Sequence, residues 1–196
     1  MCLKDYNEII RFFDDKSLHW HFSEKDEKNA GKVVEMVHCD SPKVILDVGC
    51  GTGGLYPFLH RKFPEAKIYG MDISTKMLSQ VKEPYNLLFQ ANAEHLPLQD
   101  SSVDIVLNYC VFPHFIDKMK VISETFRVLK PGGHYYIIHP DGRKMTDEKH
   151  QKQKCTVISH LLPQNDEIHD TLSSTGFRVF KHIDDDMFLF GSEKKK

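Results

Sequence analysis

A chain of 196 residues with 40% hydrophobic and 28% charged side chains has the length of one globular domain and enough apolar residues to bury its own core. The net charge of −2 gives no global electrostatic case for binding nucleic acid, and no apolar run is long enough to span a membrane. The five cysteines (Cys2, Cys39, Cys50, Cys110, Cys155) are scattered without a metal or redox spacing. Together with an N-terminus that lacks the apolar core of a signal peptide, they predict a cytoplasmic protein.

In chain order, residues 5–13 place Tyr6, Ile9, Ile10 and Phe13 on one helical face. After a break at Leu18-His19-Trp20-His21-Phe22, a second helix is expected from Ser23, presenting Val33, Val34 and Val37. Pro42 punctuates the entry to a first strand over 43–48. A helix follows from about Gly54 to Phe63, with Pro57 tolerated in its first turn. The second strand is 67–71, and Ser74 or Thr75 caps a helix that ends before Pro84. The third strand is expected at about 86–90 and the fourth at 103–110, the latter apolar as a central parallel strand should be. A helix over 116–129 carries Met119, Ile122, Phe126 and Leu129, and the fifth strand is Tyr135 to Ile138. A polar stretch, 140–155, precedes a helix over 165–175 closed by Gly176. Phe177 to His182 and Met187 to Phe190 form a terminal hairpin around Asp184-Asp185-Asp186. Seven strands, the first five alternating with helices, predict a doubly wound α/β sheet, mostly parallel, with an antiparallel C-terminal hairpin.

The first strand runs into Asp47-Val48-Gly49-Cys50-Gly51-Thr52-Gly53-Gly54. Glycine is the residue that takes positive φ without cost and lets the backbone approach a ligand closely. The helix behind the turn offers open N–H groups to an anionic or polar ligand. Asp72, 19 residues after Gly53, closes the second strand, where a carboxylate can accept both hydroxyls of a ribose. A nucleoside-containing ligand is therefore expected. Gly49, Gly51 and Gly54 satisfy the dinucleotide pattern G-x-G-x-x-G, whereas Gly49, Gly51 and Gly53 satisfy G-x-G-x-G, so the glycines alone leave the ligand open. Asp47 favours the second pattern. A carboxylate inside the turn repels a pyrophosphate and suits a cationic amino-acid ligand.

With Asn92-Ala93-Glu94-His95-Leu96-Pro97-Leu98 after the third strand and Leu129-Lys130-Pro131-Gly132-Gly133 before the fifth, the chain resembles the class I S-adenosylmethionine-dependent methyltransferases. It is most similar to the branch of quinone-biosynthesis-type small-molecule methyltransferases. The resemblance is close over roughly residues 43–139. It implies a single Rossmann-like domain: an N-terminal helical cap (1–40), a cofactor-binding core (43–139), a lid (140–163) and a C-terminal helix and hairpin (164–196). It implies that Asp47, Gly49, Cys50, Gly51 and Gly53 line the methionine part of S-adenosylmethionine, that Asp72 binds the ribose and that Ile73 is a further cofactor contact. Asn92 and Ala93 would flank the adenine, and Asn108 completes the expected set. The family usually has aspartate where this chain has Asn92, whose carbonyl oxygen still accepts a hydrogen bond from the adenine amino group.

Residues just after each strand are the acceptor-site candidates. These are Val111-Phe112-Pro113-His114-Phe115 and His139-Pro140-Asp141, with His150 from the polar stretch and the His19-Trp20-His21 segment over the mouth. A histidine is suited to take a proton from a thiol, hydroxyl or acidic carbon, and His114, His139 and His150 are the candidates. A sharper reading makes these three a zinc site. The reading preferred here has no metal. Tyr109, Phe112 and Trp20 are candidate aromatic walls for a sulfonium. Cys50 is expected to be a space-filler, and Cys110 and Cys155 isolated thiols. Arg143, Lys144, Lys149, Lys152 and Lys154 are either a basic lid or a solvated face, and Lys194 to Lys196 a solvated tail. A small-molecule acceptor is expected, with no nucleic-acid or membrane partner; the oligomeric state stays open. The alternatives are a nicotinamide-dependent oxidoreductase and a non-catalytic S-adenosylmethionine-binding module with a closed acceptor pocket.

Overall fold

The computed structural model describes residues 6–151 and 161–195. Two helices come first, α1 (Tyr6–Ser17) and α2 (Glu24–Glu35). Ser23 starts α2 as a capping box: its hydroxyl accepts from the Asp26 amide while the Asp26 carboxylate accepts from the Ser23 amide. Two amides that a helix start leaves open are thereby satisfied. The expected start of the first helix, at Asp5, lies outside the described residues, as do Cys2, Lys152, Lys154, Cys155 and Lys196.

Seven strands form one sheet. β1 (Val44–Val48), β2 (Lys67–Asp72), β3 (Leu87–Gln90), β4 (Val103–Tyr109) and β5 (Leu129–His139) run parallel. β6 (Phe177–Asp184) pairs with β7 (Phe188–Lys194), and β7 lies antiparallel against β5. The strand order is β3-β2-β1-β4-β5-β7-β6. It reverses between β1 and β4, and ligands of such sheets bind in the crevice outside that reversal.

Both faces are buried, and the strands sort their side chains by period two. Leu46, Val48, Val106, Tyr135, Ile137 and Phe190 pack on one face with α5 (Lys118–Val128) and α7 (Asn165–Thr175). Ile45, Ile105, Leu107, Tyr136, Ile138 and Leu189 pack on the other with α2 and α3 (Tyr56–Lys62). Gly176 closes α7 at φ 110°, as its position in the sequence predicts. No helix among the described residues is long and apolar enough to cross a membrane.

Four expectations are corrected. The helix after β2 is a single turn, α4 (Thr75–Leu78), capped by Ser74. It stops early because Val81 and Tyr85 fold back over the glycine turn, within 3.2 and 3.4 Å of where a Cβ on Gly53 would lie. The connection from β3 to β4 holds no helix, so the alternation breaks there. Arg127 of α5 organises it instead, donating to the carbonyls of Leu96 and Leu98 at 2.8 Å each. β5 begins at Leu129, six residues before the expected start, and absorbs Pro131-Gly132-Gly133 through a register shift opposite β4. Gly133 is required there, since a Cβ would meet the Lys130 carbonyl at 2.8 Å. Finally, the polar lid contains a helix, α6 (Arg143–Gln151).

Candidate active site

The glycine turn lies at the sheet's reversal. The amides of Gly49 and Cys50 both donate to the Met71 carbonyl, at 2.8 and 2.9 Å, tying the turn to β2. Gly49, at φ 72°, packs against the turn after β4, where an added Cβ would meet Val111 at 2.5 Å. Gly51 differs: its φ is 55°, and a Cβ there would meet nothing within 4 Å. Its open side faces a cavity of about 470 Å³ that the turn helps to line. Gly54, the third glycine of the dinucleotide pattern, lines the cavity and also packs against the N-terminal cap, where a Cβ would strike Phe22 at 2.4 Å, whereas Gly53, expected in the lining, is not part of it.

Two carboxylates lie under this turn. Asp72 accepts from the Gly51 amide at 3.0 Å and from the Ser74 amide at 2.9 Å, one bond to each oxygen. Each oxygen keeps a second lone pair, enough for a pair of ribose hydroxyls. Burial raises the Asp72 carboxyl above its ordinary value, partly offset by those amides. Asp47 is 1% exposed and accepts from the Tyr85 hydroxyl at 3.0 Å. Burial pushes its carboxyl up to about 7; the Tyr85 hydrogen bond pulls it down and neighbouring Asp72 adds to the rise.

Ile73, Asn92, Ala93 and Glu94 carry the cavity wall onward past β2 and β3. The Asn92 side-chain oxygen accepts from the Glu94 amide at 2.9 Å and keeps one lone pair for a base edge. Tyr6 of α1 also lines this end, its phenol pushed up to about 12 by burial and by Glu94. Cys50 lines the turn too, and burial raises its thiol above the ordinary value, so it stays protonated. Asn108 is fully buried behind the wall, donates to the Tyr135 hydroxyl at 2.7 Å and does not line the cavity. Its strand position suggested contact, but its side chain points to the α5 face, as the period-two alternation of β4 dictates.

The other half of the cavity is walled by the N-terminal cap and the turn after β4. Phe13, Trp20 and His21 come from the cap, and Tyr109, His114 and Phe115 from β4 and the turn beyond it. Trp20 is 43% exposed and sits at the mouth. Phe112, expected as an aromatic wall, is instead buried in the core. Cys110, at φ 58°, ends β4 with its side chain exposed along the cavity.

Of the three candidate histidines, His114 lines the cavity and the other two stand behind it. Phe13 meets the His114 ring edge-on at 5.2 Å, and the His150 ring lies 4.9 Å away on α6. His139 is 4% exposed, and its Nε2 has no hydrogen-bond partner among the described residues. Burial first, then the His150 charge, lowers His139 to about 3, which holds it neutral. Among the described residues no three histidine, cysteine or acidic side chains form a group able to hold a metal ion. Two of the basic lid residues are paired with carboxylates. Arg143 pairs with Asp184 at 2.8 Å, and Lys149 pairs with Asp141.

Residues 46–137 match the family model of a methyltransferase domain. The chain is 25% identical over 192 residues to trans-aconitate 2-methyltransferase of Rhodopseudomonas palustris strain BisB18, covering 88% of this chain and 75% of that protein. It is 32% identical over 126 residues to demethylmenaquinone methyltransferase of Thermotoga maritima, covering 62% of this chain and 55% of the relative. The chain thus spans about half the length of that second relative. The fold superposes on the complex of a Haloferax volcanii methyltransferase with the Trm112 methyltransferase activator, with a TM-score of 0.76 and 18% identity over 94% of this chain and 98% of that one. At that identity the likeness is one of fold.

Fold, glycine turn and sequence relatives agree in their likeness: the chain resembles the class I S-adenosylmethionine-dependent methyltransferases, and its match to the methyltransferase domain model spans residues 46–137. Its cofactor is S-adenosylmethionine. The residues fit that group, with an open cradle at Gly51 and the Asp72 carboxylate beside it. The nicotinamide reading falls with this assignment. Tyr85, Tyr6 and Phe22 were absent from the sequence-derived site. Tyr85 reaches Asp47 across 38 residues of chain, and no local pattern announces such a contact.

Proposed function

We propose that this chain transfers a methyl group from S-adenosylmethionine to a small organic acceptor in the cytoplasm, acting as one domain with an N-terminal cap (1–40), a core (43–139), a lid (140–163) and a C-terminal helix and hairpin (164–196). The observation that carries this reading is one continuous cavity with the glycine turn and Asp72 at one end and His114, Tyr109 and Trp20 at the other. A module that only bound the cofactor would need no such second half. Relatives named for trans-aconitate and demethylmenaquinone support a small acceptor.

When bound, S-adenosylmethionine supplies a methyl group already activated on a sulfonium. Asp72 would hold the ribose, Ile73, Asn92 and Ala93 the adenine side, and the open face of Gly51 with Asp47 the amino-acid end. Methyl transfer would ask of the chain only that it present the acceptor in line with the methyl group and take up the proton the acceptor gives off. The proton that the acceptor loses goes to the His114 imidazole. Phe13, Tyr109, Phe115 and Trp20 exclude water and orient the acceptor, and orientation alone is worth ~7–11 kcal/mol of a bimolecular barrier. Free cysteines Cys39, Cys50 and Cys110 support the cytoplasmic assignment.

The test is methyl transfer from S-[methyl-³H]adenosylmethionine to carboxylates, phenols, thiols and amines, with wild type beside His114→Gln. Label in an acceptor with wild type and a large loss in the variant support the reading; equal transfer by both removes His114. A second reading adds a protein activator. The Haloferax volcanii methyltransferase is bound to one, and the edge strand β3 here exposes Leu87 and Leu88. Full turnover by the purified chain alone sets that reading aside.

A further inference from the structure

Among the described residues that line the cavity, the fixed charges are the carboxyl groups of Asp26, Asp47, Asp72 and Glu94 against the ammonium of Lys16. Asp47 and Asp72 lie under the glycine turn, and Glu94 lies beside Asn92, so the cofactor end accounts for three of the four carboxyl groups. Asp26 is left over. It comes from α2, in the N-terminal cap that walls the acceptor half, and its charge reaches β4 there. Burial first, then Cys110, then Asp26 push the Tyr109 phenol above its ordinary value.

The Asp26 carboxylate is half-buried and held in place. Its Oδ2 accepts from the Ser23 amide at 2.9 Å and from the Ser23 hydroxyl at 2.6 Å, the bonds that cap α2. Its Oδ1 accepts no hydrogen bond among the described residues. The cations around this end are engaged elsewhere. Lys25 and Lys149 both pair with Asp141, Arg143 pairs with Asp184, and Lys118 donates to the Pro113 and Phe115 carbonyls. Lys16 is exposed, and its ammonium lies 5.3 Å from the centre of the Phe12 ring, which is not part of the cavity wall. An acceptor that carries a carboxylate would meet like charge at Asp26. One that carries an ammonium would meet opposite charge beside the rings of Trp20, Phe22 and Tyr109, and aromatic rings attract cations.

We propose that the acceptor is a small molecule carrying an ammonium group, and that the open oxygen of Asp26 anchors that group in the half of the cavity walled by Trp20 and Tyr109. The proposal rests on the reading of this half as the acceptor site. A protonated nitrogen has no electron pair to give, so the ammonium is the recognised end, and the atom that takes the methyl group is a second, neutral nucleophile of the same molecule. Asp26 thus determines specificity and has no part in the proton transfer to His114.

The test is calorimetry on the protein saturated with S-adenosylhomocysteine, titrated with three ligands of one ring and different charge: tyramine, para-ethylphenol and para-hydroxyphenylacetate. Tyramine should bind about tenfold or more tighter than the neutral phenol, the low end of the range for a hydrogen bond to a charged group, and the acid should bind weakest. Asp26→Asn, whose amide oxygen can keep the cap on α2, should remove the advantage of tyramine and leave para-ethylphenol and S-adenosylhomocysteine unchanged. Ser23→Ala, which weakens the cap and keeps the charge, should lower the melting temperature and retain the preference. The proposal is overturned if tyramine binds no tighter than para-ethylphenol, if Asp26→Asn keeps the preference, or if Ser23→Ala abolishes it as fully. Weaker binding of S-adenosylhomocysteine by Asp26→Asn would place the carboxylate on the cofactor and overturn it as well. Should Asp26→Asn not fold, the wild-type order of the three ligands decides. These titrations need no turnover. Selection of the amine without methyl transfer would sink the methyltransferase reading alone, and methylation of para-ethylphenol without preference for tyramine would sink this proposal alone.

Discussion

The hydroxyl of Tyr85 donates to the buried carboxyl of Asp47 at 3.0 Å, beneath the glycine turn. Burial raises Asp47 from an ordinary 3.8 to about 7. Between those values the folded protein holds a proton there that the unfolded chain has released. Stability of the ligand-free protein should therefore fall as pH rises across that window, the sign expected for a carboxyl whose folded value is raised. Asp47→Asn should flatten the fall, as read from melting temperatures over the same range; an unchanged pH profile would show that Asp47 titrates normally.

The same group ties cofactor binding to protons. A cationic ligand beside Asp47 favours the carboxylate, so binding near pH 6 to 7 should release a proton. Calorimetry with S-adenosylmethionine in two buffers of different ionisation enthalpy reads that proton directly. A binding heat independent of buffer would place the cation elsewhere.

Asp72→Ala should weaken S-adenosylhomocysteine by ~1.5–3 kcal/mol, the range for hydrogen bonds to a charged group. The Gly51 and Ser74 amides lose their acceptor as well, so part of the loss reports a looser turn. Asp72→Asn, which keeps an acceptor oxygen, should recover part of the affinity. Equal affinity in all three proteins would take Asp72 out of the site.

Two glycines should respond in opposite ways. Gly51→Ala meets no atom within 4 Å and carries the strain of φ 55°, ~1–2 kcal/mol for a left-handed alanine. It should fold and bind cofactor poorly, because its methyl enters the cradle. Gly54→Ala should displace Phe22 and loosen the N-terminal cap, lowering the melting temperature more than cofactor affinity. The reverse pattern would exchange their roles.

Replacing His114 by Gln should leave cofactor affinity within about twofold and lower turnover ~10²–10⁴-fold, the usual worth of a general base. The expectation for His139→Ala is smaller, since His139 is buried and does not line the cavity. A larger loss at His139 than at His114 would move the base.

Much of this architecture is legible in the chain because its signals are local. Alternation of strand and helix patterns, the glycine run after Val48 and the acid at the end of β2 each depend on neighbours in sequence. Ser23 and Gly176 mark helix ends by chemistry that acts within a few residues. The parts that escaped are tertiary. Helix α4 ends early because Tyr85 is drawn back to Asp47, and β5 starts early because Pro131-Gly132-Gly133 can bend along β4. Asn108 has a plausible residue type at a plausible position, yet strand parity turns it to the α5 face. His150 has no motif around it, and only the docking of α6 reveals what it touches.

The most direct measurement is isothermal titration of the purified chain with S-adenosylhomocysteine, repeated with Gly51→Ala and Asp72→Ala and with NADH as the control ligand. Micromolar binding of S-adenosylhomocysteine that both substitutions weaken, with no heat from NADH, is the predicted result. Binding that neither substitution changes, or binding of NADH alone, would contradict the placement of the cofactor in the Gly51–Asp72 cradle.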